Sequence, residues 1–151
     1  MSIWWSLRLR RDAASVPLAR RLLLGAMETA GVDPDISFDL SVALTEACAN
    51  AVEHGGPTGA GSGGAEEYRV TAYLDGEKCR IEVSDSGPGF SPRPESPHER
   101  RPSASAESGR GLCLIEQLAD HVHVRSRPGV GAVVSFDKML KWRDDAPLAV
   151  V

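Results

Sequence analysis

The stretch EACANAVEHG, residues 46–55, carries most of the information about the fold, because it reads as the second half of a two-faced helix. Glu46 and Asn50 are four residues apart and stack on one side of that helix, roughly 100° from the centre of its apolar face. The helix is predicted to open at Asp33-Pro34-Asp35 and to end at Gly55-Gly56-Pro57. The apolar face, which predicts the side buried in the core, consists of Leu40, Leu44, Ala47 and Ala51.

A carboxylate and a carboxamide at such a helix flank have two interpretations. Mg²⁺ prefers oxygen ligands and usually takes only one or two of them from the protein, so Asn50 is a candidate metal ligand. Glu46, one turn earlier, could act as a base towards a water or hydroxyl next to bound phosphates. Taken alone, however, a Glu–Asn pair of this kind is more often a solvated feature of the helix surface.

A second motif, DSGPGF at residues 85–90, directly follows a predicted strand. Gly87 and Gly89 allow a ligand to approach the bare backbone. Asp85 beside them could accept a hydrogen bond from an exocyclic amine such as that of adenine. A DxGxG pattern by itself is a weak signal, since an ordinary turn has the same composition.

A third motif, GRGL at residues 109–112, is predicted to open a helix. A helix N-terminus offers unpaired N–H groups and the positive end of the helix dipole, which suits phosphate, although a hinge is equally compatible with these glycines. Residues 91–108 before it are rich in proline and serine and predict a lid or a disordered insertion. The apolar face of the helix after the motif consists of Leu112, Ile115, Leu118 and Ala119.

The strands are predicted from period-two alternation of apolar and polar residues. Ile3–Arg10 reads as a strand with one buried face, and residues 121–126 and 132–136 read as a hairpin across Pro128-Gly129. Another hairpin turns at Asp75-Gly76. Its inward-facing residues are Val70, Ala72 and Leu74 on one strand and Cys79, Ile81 and Val83 on the other.

One further helix completes the pattern and leads to the fold class. It is predicted to open at Ser15 and Pro17 and to end at Gly31. About three helices and five strands, with hairpins between strands, predict an α/β fold: a two-layer sandwich whose mostly antiparallel sheet is covered by helices on one face. The apolar residues at helical spacing in this first helix are Leu18, Leu22, Leu23, Ala26 and Ala30.

Composition and charge exclude several classes of function. A net charge of −4 and an isoelectric point near 5.6 argue against direct nucleic-acid binding, which needs clustered basic residues. No apolar run is long enough to span a membrane and no signal peptide is recognisable, so a cytoplasmic location is expected. The basic cluster is short and interrupted and is interpreted as solvated surface. It consists of Arg8, Arg10, Arg11, Arg20 and Arg21.

The cysteines and histidines give no pattern typical of a metal site. Cys48, Cys79 and Cys113 are widely spaced among apolar neighbours and are predicted to be buried, reduced thiols. His121 and His123 lie on the same side of a strand without a carboxylate or cysteine partner and are interpreted as surface residues. For His54, contact with phosphate and a role at the helix C-terminus are equally open.

In combination, the three motifs are far more specific than any one of them. A helix with ExxxN, a strand with DxGxG, a lid and GxGL entering a helix resemble the GHKL ATPase superfamily of gyrase, histidine kinases and MutL. EACANAVEHG corresponds to its N box, and DSGPGF and GRGL to its two glycine boxes. The resemblance covers residues 36–136 and implies a Bergerat-type sandwich that binds ATP beneath a mobile lid.

The length of the chain and residues 7–27, LRLRRDAASVPLARRLLLGAM, are similar to the bacterial anti-sigma factor serine kinases of the RsbW and SpoIIAB type. This resemblance implies Glu46 as the general base, Asn50 as the Mg²⁺ ligand and Asp85 as the carboxylate that reads adenine. It also implies ATP and Mg²⁺ as cofactors. The ATP-binding domain is expected to span residues 1–142, before a frayed tail at 143–151. The other residues of the implied nucleotide site are Gly87, Gly89, Gly109, Arg110, Gly111 and Leu112.

The same resemblance implies three partners: a STAS-type anti-anti-sigma protein as substrate, a sigma factor, and a second copy of the chain. One departure from the family pattern concerns affinity, because Gly131-Ala132 stands where members often have Gly-Thr, and alanine cannot hydrogen-bond towards adenine. A module that binds ATP weakly or not at all and acts by sequestering a partner is therefore the alternative. A hydrolase without a protein acceptor is disfavoured because no transducer domain follows residue 136.

Overall fold

The computed structural model describes residues 2–54, 67–85, 106–127 and 131–144, apart from the side chains of residues 54, 106–111 and 127. In this part of the chain there are three helices and five strands, as the sequence predicts. Their order is β1 (Ile3–Arg10), α1 (Ser15–Ala30), α2 (Pro34–His54), β2 (Glu67–Leu74), β3 (Lys78–Asp85), α3 (Ala106–Leu118), β4 (His121–Arg127) and β5 (Gly131–Met139).

The strands form one five-stranded sheet in the order β1-β2-β3-β5-β4, with every neighbouring pair antiparallel. Its central hairpin turns as predicted, because the Asp75 carboxylate accepts hydrogen bonds from the backbone N–H groups of Glu77 and Lys78. These two bonds favour the ionised carboxylate and hold the pKa of Asp75 below its usual value. The turn thereby fixes the register of β2 against β3.

Helix α2 lies between α1 and α3, and it contacts β2 and β3 beneath it. The side chains that alternate along β2 and β3 are buried on the side facing the helices, and they include the six inward residues predicted for this hairpin. The expected two-layer α/β sandwich, with helices on one face of an antiparallel sheet, is therefore confirmed. The other sheet face is not covered by any described helix, and it is called the open face below.

The core face of α2 is the one predicted, since Leu40, Leu44, Ala47 and Ala51 are all buried. The helix begins at Pro34, and the side chain of Asp33 accepts a hydrogen bond from the N–H of Asp35 at 2.8 Å. It ends at His54, immediately before the glycines predicted to terminate it.

Helix α1 also ends as predicted, at Gly31, whose φ of 92° requires a residue without a Cβ. Its apolar residues, however, do not form a single buried face. Leu23 is buried, whereas Leu18 and Leu22 are each 44% exposed. The buried side is completed by small and flexible residues, Ala19, Met27 and Ala30.

The predicted start of α3 is wrong. The helix begins at Ala106, so Gly109-Arg110-Gly111 lies inside it, and residues 106–108 belong to the helix and not to the segment predicted as a lid. Ala106 and Glu107 are good helix formers and extend the helix upstream. An α-helix leaves only the N–H groups of its first turn unpaired, so those of α3 precede the glycines.

Two predictions of solvent exposure are also corrected. Cys113 is exposed, because it lies two positions from the buried Ile115, about 200° around α3. Arg11 is half-buried and donates from Nη1 to the carbonyl of Val52, so it caps the negative end of α2. The rest of the basic cluster is exposed as predicted.

The end of the described chain returns to α1. Arg143, where the frayed tail is expected to begin, donates its backbone N–H to Gly31 at 2.8 Å and its guanidinium to the carbonyl of Glu28 at 3.0 Å. Residues 145–151 lie outside the described residues. None of the helices in the described ranges combines the length and apolar character needed to cross a lipid bilayer.

Candidate nucleotide site

Glu46 and Asn50 lie together on the flank of α2 that faces away from α1. Both side chains are half-buried. Cys48, halfway between them in sequence, is about 200° around the helix from each and hydrogen-bonds to Tyr68, which in turn contacts Ser15 of α1. The Glu46–Asn50 flank is therefore on the side of α2 against which α3 packs.

The side-chain amide of Asn50 has an unused hydrogen-bonding group. Its Nδ2 is buried and has no hydrogen-bond partner among the described residues. A buried polar group without a partner costs on the order of 1–3 kcal/mol, so such a position is typical of a site that a ligand completes. A 180° turn of the amide would present its carbonyl oxygen at the same place, which fits an oxygen-preferring cation such as Mg²⁺.

Asp85 is the last residue of β3 and continues the inward phase of Cys79, Ile81 and Val83. Its side chain is half-buried on the helix-covered face, at the end of the strand. In the sheet it lies opposite Tyr68 on one side and Ala132 on the other. The carboxylate is thereby held at the mouth of the layer between helices and sheet.

Ala132, the residue that departs from the family pattern, is the cross-strand neighbour of Asp85 and is only 6% exposed. Directly opposed residues in an antiparallel pair have Cβ atoms about 5 Å apart. A hydroxyl at position 132 would thus lie beside the carboxylate, whereas the alanine methyl group adds only apolar surface.

A hydrogen-bonded group next to Asp85 was missed by the sequence analysis. Ser15 Oγ donates to the carbonyl of Asp12 at 2.7 Å, and Tyr68 Oη lies 2.6 Å from the same Ser15 oxygen. Since the Ser15 proton is already used, Tyr68 donates to Ser15, and Cys48 is the other hydrogen-bonding neighbour of the Tyr68 hydroxyl. The signal available in the sequence was Tyr68 itself, which is in the inward phase of β2 and needs a buried partner for its hydroxyl.

Burial keeps this group neutral. It raises the pKa of the Cys48 thiol to about 12 and raises the pKa of the Tyr68 hydroxyl above its usual value. Cys48 therefore remains a hydrogen-bonding thiol at physiological pH and is unsuited to nucleophilic chemistry. The group ties α1, α2 and β2 together immediately beside Asp85.

The structure describes only some of the remaining residues of the predicted site. Gly87 and Gly89 lie outside the described residues, and so does the side chain of His54. The backbone of residues 109–111 lies within α3, while the side chain of Arg110 is outside the description. Leu112 is half-buried and packs against the core. The described part of the site thus consists of Glu46, Asn50, Asp85, Leu112 and Ala132.

The two histidines of β4 are exposed, as predicted. The expectation that they have no carboxylate partner is wrong for His121, because its Nδ1 lies 2.8 Å from Oδ1 of Asp137 on β5. This pair lies on the open face, away from the Glu46–Asn50 flank.

Comparison with known proteins decides the family. The family model of the histidine kinase-like ATPase domain matches residues 9–138. The chain belongs to this family. The two motifs that the match includes in described residues, on α2 and at the end of β3, are the ones that form the site above.

Members of this ATPase family with a curated function include close matches in length. The chain is 34% identical over 132 residues to the serine-protein kinase RsbW of Bacillus licheniformis, covering 83% of the chain and 78% of the relative. It is 31% identical over 143 residues to RsbW of Staphylococcus aureus, covering 89% and 86%. The resemblance to the anti-sigma factor kinase group is therefore confirmed.

Solved structures agree on the fold. The RsbU and RsbW domains of Rv1364c from Mycobacterium tuberculosis match with a TM-score of 0.65 at 20% identity, over 92% of this chain and 33% of that longer one. The SiaB–SiaC complex from Pseudomonas aeruginosa matches with a TM-score of 0.54 at 11% identity, over 89% of both chains. At these identities the likeness concerns the fold alone.

Proposed function

We propose that this chain is an ATP-dependent serine protein kinase of the anti-sigma factor type, which phosphorylates a small STAS-type anti-anti-sigma protein. The observation that carries the proposal is the flank of α2, where the Asn50 amide, which has no hydrogen-bond partner in the described part of the chain, lies one helical turn from the carboxylate of Glu46. The similarity to two serine-protein kinases supports phosphate transfer to a serine as the reaction.

Adenine would be read at the end of β3. Asp85 accepts a hydrogen bond from the exocyclic amine of the base, an interaction that a half-buried carboxylate makes more strongly than an exposed one. On the basis of the sequence motifs, the nucleotide would also be bordered by Gly87, Gly89, Gly109, Arg110, Gly111 and Leu112. Ala132 contributes apolar contact only.

Asn50 would bind Mg²⁺ through its carboxamide oxygen. When bound to the triphosphate, this ion neutralises charge on the phosphate oxygens and lowers the barrier to transfer. The amide is already held in a buried position without a competing partner in the described residues, so it loses little conformational freedom on binding.

Glu46 would accept the proton of the incoming serine. The serine oxygen forms a bond to the γ-phosphorus, the bond from that phosphorus to the β–γ bridging oxygen breaks, and ADP leaves. The serine proton moves to the Glu46 carboxylate and then to solvent. Glu46 and Asn50 are four positions apart, so their Cβ atoms are about 6 Å apart, a separation that suits a base beside the phosphates.

Protein partners are the second part of the proposal. The kinase would hold a sigma factor until the anti-anti-sigma protein competes for the kinase and displaces the sigma factor. A homodimer is also proposed, supported by the exposed apolar residues Leu18 and Leu22 on α1, which a partner surface would cover. The cytoplasmic location remains an expectation, consistent with the free thiols of Cys48 and Cys79.

The alternative function is a module that sequesters a partner without phosphorylating it. Ala132 favours this alternative, because its methyl group opposite Asp85 offers no hydrogen bond to the nucleotide. The presence of both Glu46 and Asn50 favours the kinase, since the buried Asn50 Nδ2 has no partner within the ranges that the structure describes.

Transfer of labelled phosphate from ATP to a panel of candidate STAS-type proteins tests the proposal. We expect one or more of them to be phosphorylated on serine in the presence of Mg²⁺, and the same proteins with that serine replaced by alanine to remain unlabelled. If none is labelled while the wild-type chain still binds one of them, the sequestering module replaces the kinase.

A further inference from the structure

The open face of the sheet is basic, although the whole chain has a net charge of −4. Its acidic side chains in the described residues are Glu67, Glu82 and Asp137. Glu82 pairs with Arg80 at 2.6 Å and Asp137 with His121 at 2.8 Å, so two of these acids are already engaged. The basic side chains on the same face are twice as many: Arg8, Arg10, Arg69, Lys78, Arg80 and Arg125.

Two of these arginines are direct cross-strand neighbours. Arg8 of β1 lies opposite Arg69 of β2, and both are exposed. Neither makes an ion pair with another described residue. Like charges directly opposite each other destabilise an antiparallel pair. An anionic group bound between Arg8 and Arg69 would therefore remove a repulsion and stabilise this part of the sheet.

A cavity of about 330 Å³ opens beside this arginine pair, where β2 begins and β3 ends. Its lining on the open face consists of Arg8, Glu67, Arg69 and Ser84, and Tyr68 and Asp85 border it from the other side of the sheet. The anion site is the part of this cavity between the two guanidinium groups. The cavity is large enough for the carboxylate side chain of an acidic residue and the backbone atoms next to it. Two guanidinium groups at one cavity suit bidentate recognition of such a carboxylate.

An exposed aromatic pair lies on the same face of β1 and β2, two cross-strand pairs away from Arg8 and Arg69. Trp4 is 60% exposed and Tyr73 is 44% exposed. Their ring centroids are 6.1 Å apart, and they lie opposite each other in the ladder. Large aromatic side chains are rarely left this exposed together, and they are the residue types that carry binding energy at protein interfaces.

The cross-strand pair between the arginines and the aromatic residues is polar. Its hydroxyl groups hydrogen-bond to each other, with Ser6 Oγ 3.2 Å from Thr71 Oγ1. Trp4 and Arg8 are four residues apart on β1, so the aromatic pair and the arginine pair are about 13 Å apart. One half of the open face thus offers an apolar contact and an anion site at a fixed spacing.

We propose that the β1–β2 half of the open face binds an acidic protein segment, with an apolar side chain on Trp4 and Tyr73 and a carboxylate between Arg8 and Arg69. An extended segment spans this distance in about four residues. Trp4, Arg8, Arg69 and Tyr73 lie on the opposite side of the sheet from the helices that carry Glu46 and Asn50. Asp85 borders both regions, but the inference does not depend on the kinase function.

Two other occupants fit less well. A second copy of the chain would bring two basic faces together, which costs electrostatic energy. Single-stranded nucleic acid binds in a positively charged groove that follows its backbone, whereas the pair between the two features, Ser6 and Thr71, is neutral.

The test uses the ¹⁵N-labelled full chain and a short synthetic peptide with leucine at one position and Glu-Asp beginning four positions later. Its controls are the same peptide with Gln-Asn and an oligothymidylate of equal length. We expect the acidic peptide to shift the indole N–H of Trp4 and the backbone signals of Arg8 and Arg69. Its affinity should fall at least about fivefold in Trp4→Ala and in Arg69→Glu.

The matched control variant is Arg20→Glu, which makes the same charge change on exposed α1 and should change the affinity less than twofold. Four results would overturn the proposal. They are shifts that map to α1 and not to β1 and β2, an equal loss in Arg20→Glu, tighter binding of the oligothymidylate, and a dimer that dissociates in Arg69→Glu. The absence of any shift at millimolar acidic peptide overturns it as well.

Discussion

Asp85 and Ala132 lie directly opposite each other in the ladder between β3 and β5, on the sheet face that the helices cover. The carboxylate and the methyl group therefore border the same end of the layer between sheet and helices. Only one of the two can hydrogen-bond. On the proposed function, nucleotide affinity is therefore expected to depend on position 132 as well as on Asp85.

Replacing the alanine should strengthen nucleotide binding. In Ala132→Thr, a hydroxyl enters beside Asp85, and one hydrogen bond contributes about 0.5–1.5 kcal/mol, or roughly a three- to tenfold gain in affinity. Calorimetry with ADP and Mg²⁺ measures it. Val133→Thr adds the same hydroxyl on the open face of β5 and is the control. Equal affinities for the wild type and Ala132→Thr would remove position 132 from the nucleotide site.

Removing the charge at the end of β3 should have the opposite effect. Asp85→Asn weakens ATP and ADP binding by at least about tenfold, because a hydrogen bond to a charged partner contributes about 1.5–3 kcal/mol. Circular dichroism should show the fold retained. Glu82→Gln, a neutralised carboxylate on the other face of the same strand, should bind normally. Unchanged affinity in Asp85→Asn means that another group reads adenine.

The three cysteines should differ sharply in reactivity. Cys113 is exposed on α3, whereas Cys48 and Cys79 are buried. A disulfide reagent such as dithionitrobenzoate should therefore modify one thiol quickly in the folded chain and all three in guanidinium. Cys113→Ser should abolish the fast phase. A fast phase that persists in this variant contradicts the burial of the other two.

Alkaline pH should destabilise the fold through the buried thiols. Burial raises the pKa of Cys48 and of Cys79 from 9.0 to about 12. Above pH 9 the unfolded chain loses these protons and the folded chain keeps them, so the free energy of unfolding falls as pH rises from 9 towards 12. The slope is up to about 1.4 kcal/mol per pH unit for each thiol. Denaturant titrations of wild type and Cys48→Ala measure it, and identical slopes would contradict this account.

Burial along α2, β2 and β3 could be predicted from sequence because each element has one regular period. Leu40, Leu44 and Ala47 repeat at helical spacing, and Val70 and Ala72 alternate at strand spacing. In both cases the local pattern identifies the face that packs, whatever the element packs against. The same periods placed Glu46 and Asn50 correctly on the flank of the helix.

Features that depend on neighbouring elements could not be predicted in this way. Leu18 and Leu22 fit the helical pattern of α1, yet the buried side of this helix is formed by Ser15, Ala19, Leu23, Met27 and Ala30. Which side is buried depends on how α1 is oriented against its neighbours, and the pattern alone does not give that orientation. Side-chain pairing depends on which elements meet. The contact between Tyr68 and Ser15, and the lack of a partner for the Asn50 amide among the described residues, could therefore not be read from local patterns. The start of α3 was misplaced because glycine was weighed above the helix-forming residues before it.

The glutamate of α2 distinguishes a kinase from a sequestering module. Glu46→Gln preserves size and helix propensity but cannot take the serine proton, so phosphate transfer should fall about 10²–10⁴-fold. Mg·ATP affinity should remain within about twofold, since Asn50 and Asp85 are intact. Asn50→Ala, in contrast, should weaken Mg·ATP binding and phosphate transfer together. Glu53→Gln, an exposed change on the same helix, is the matched control.

The most direct measurement is the single-turnover rate of phosphate transfer from ATP to the serine substrate in wild type and Glu46→Gln, with calorimetry of Mg·ATP binding on the same samples. The account predicts a large loss of rate in Glu46→Gln, with its ATP affinity and partner binding unchanged and with Glu53→Gln like wild type. Transfer by Glu46→Gln at the wild-type rate would contradict the role of this residue. A wild-type chain that binds its partner but transfers no phosphate would contradict the kinase itself.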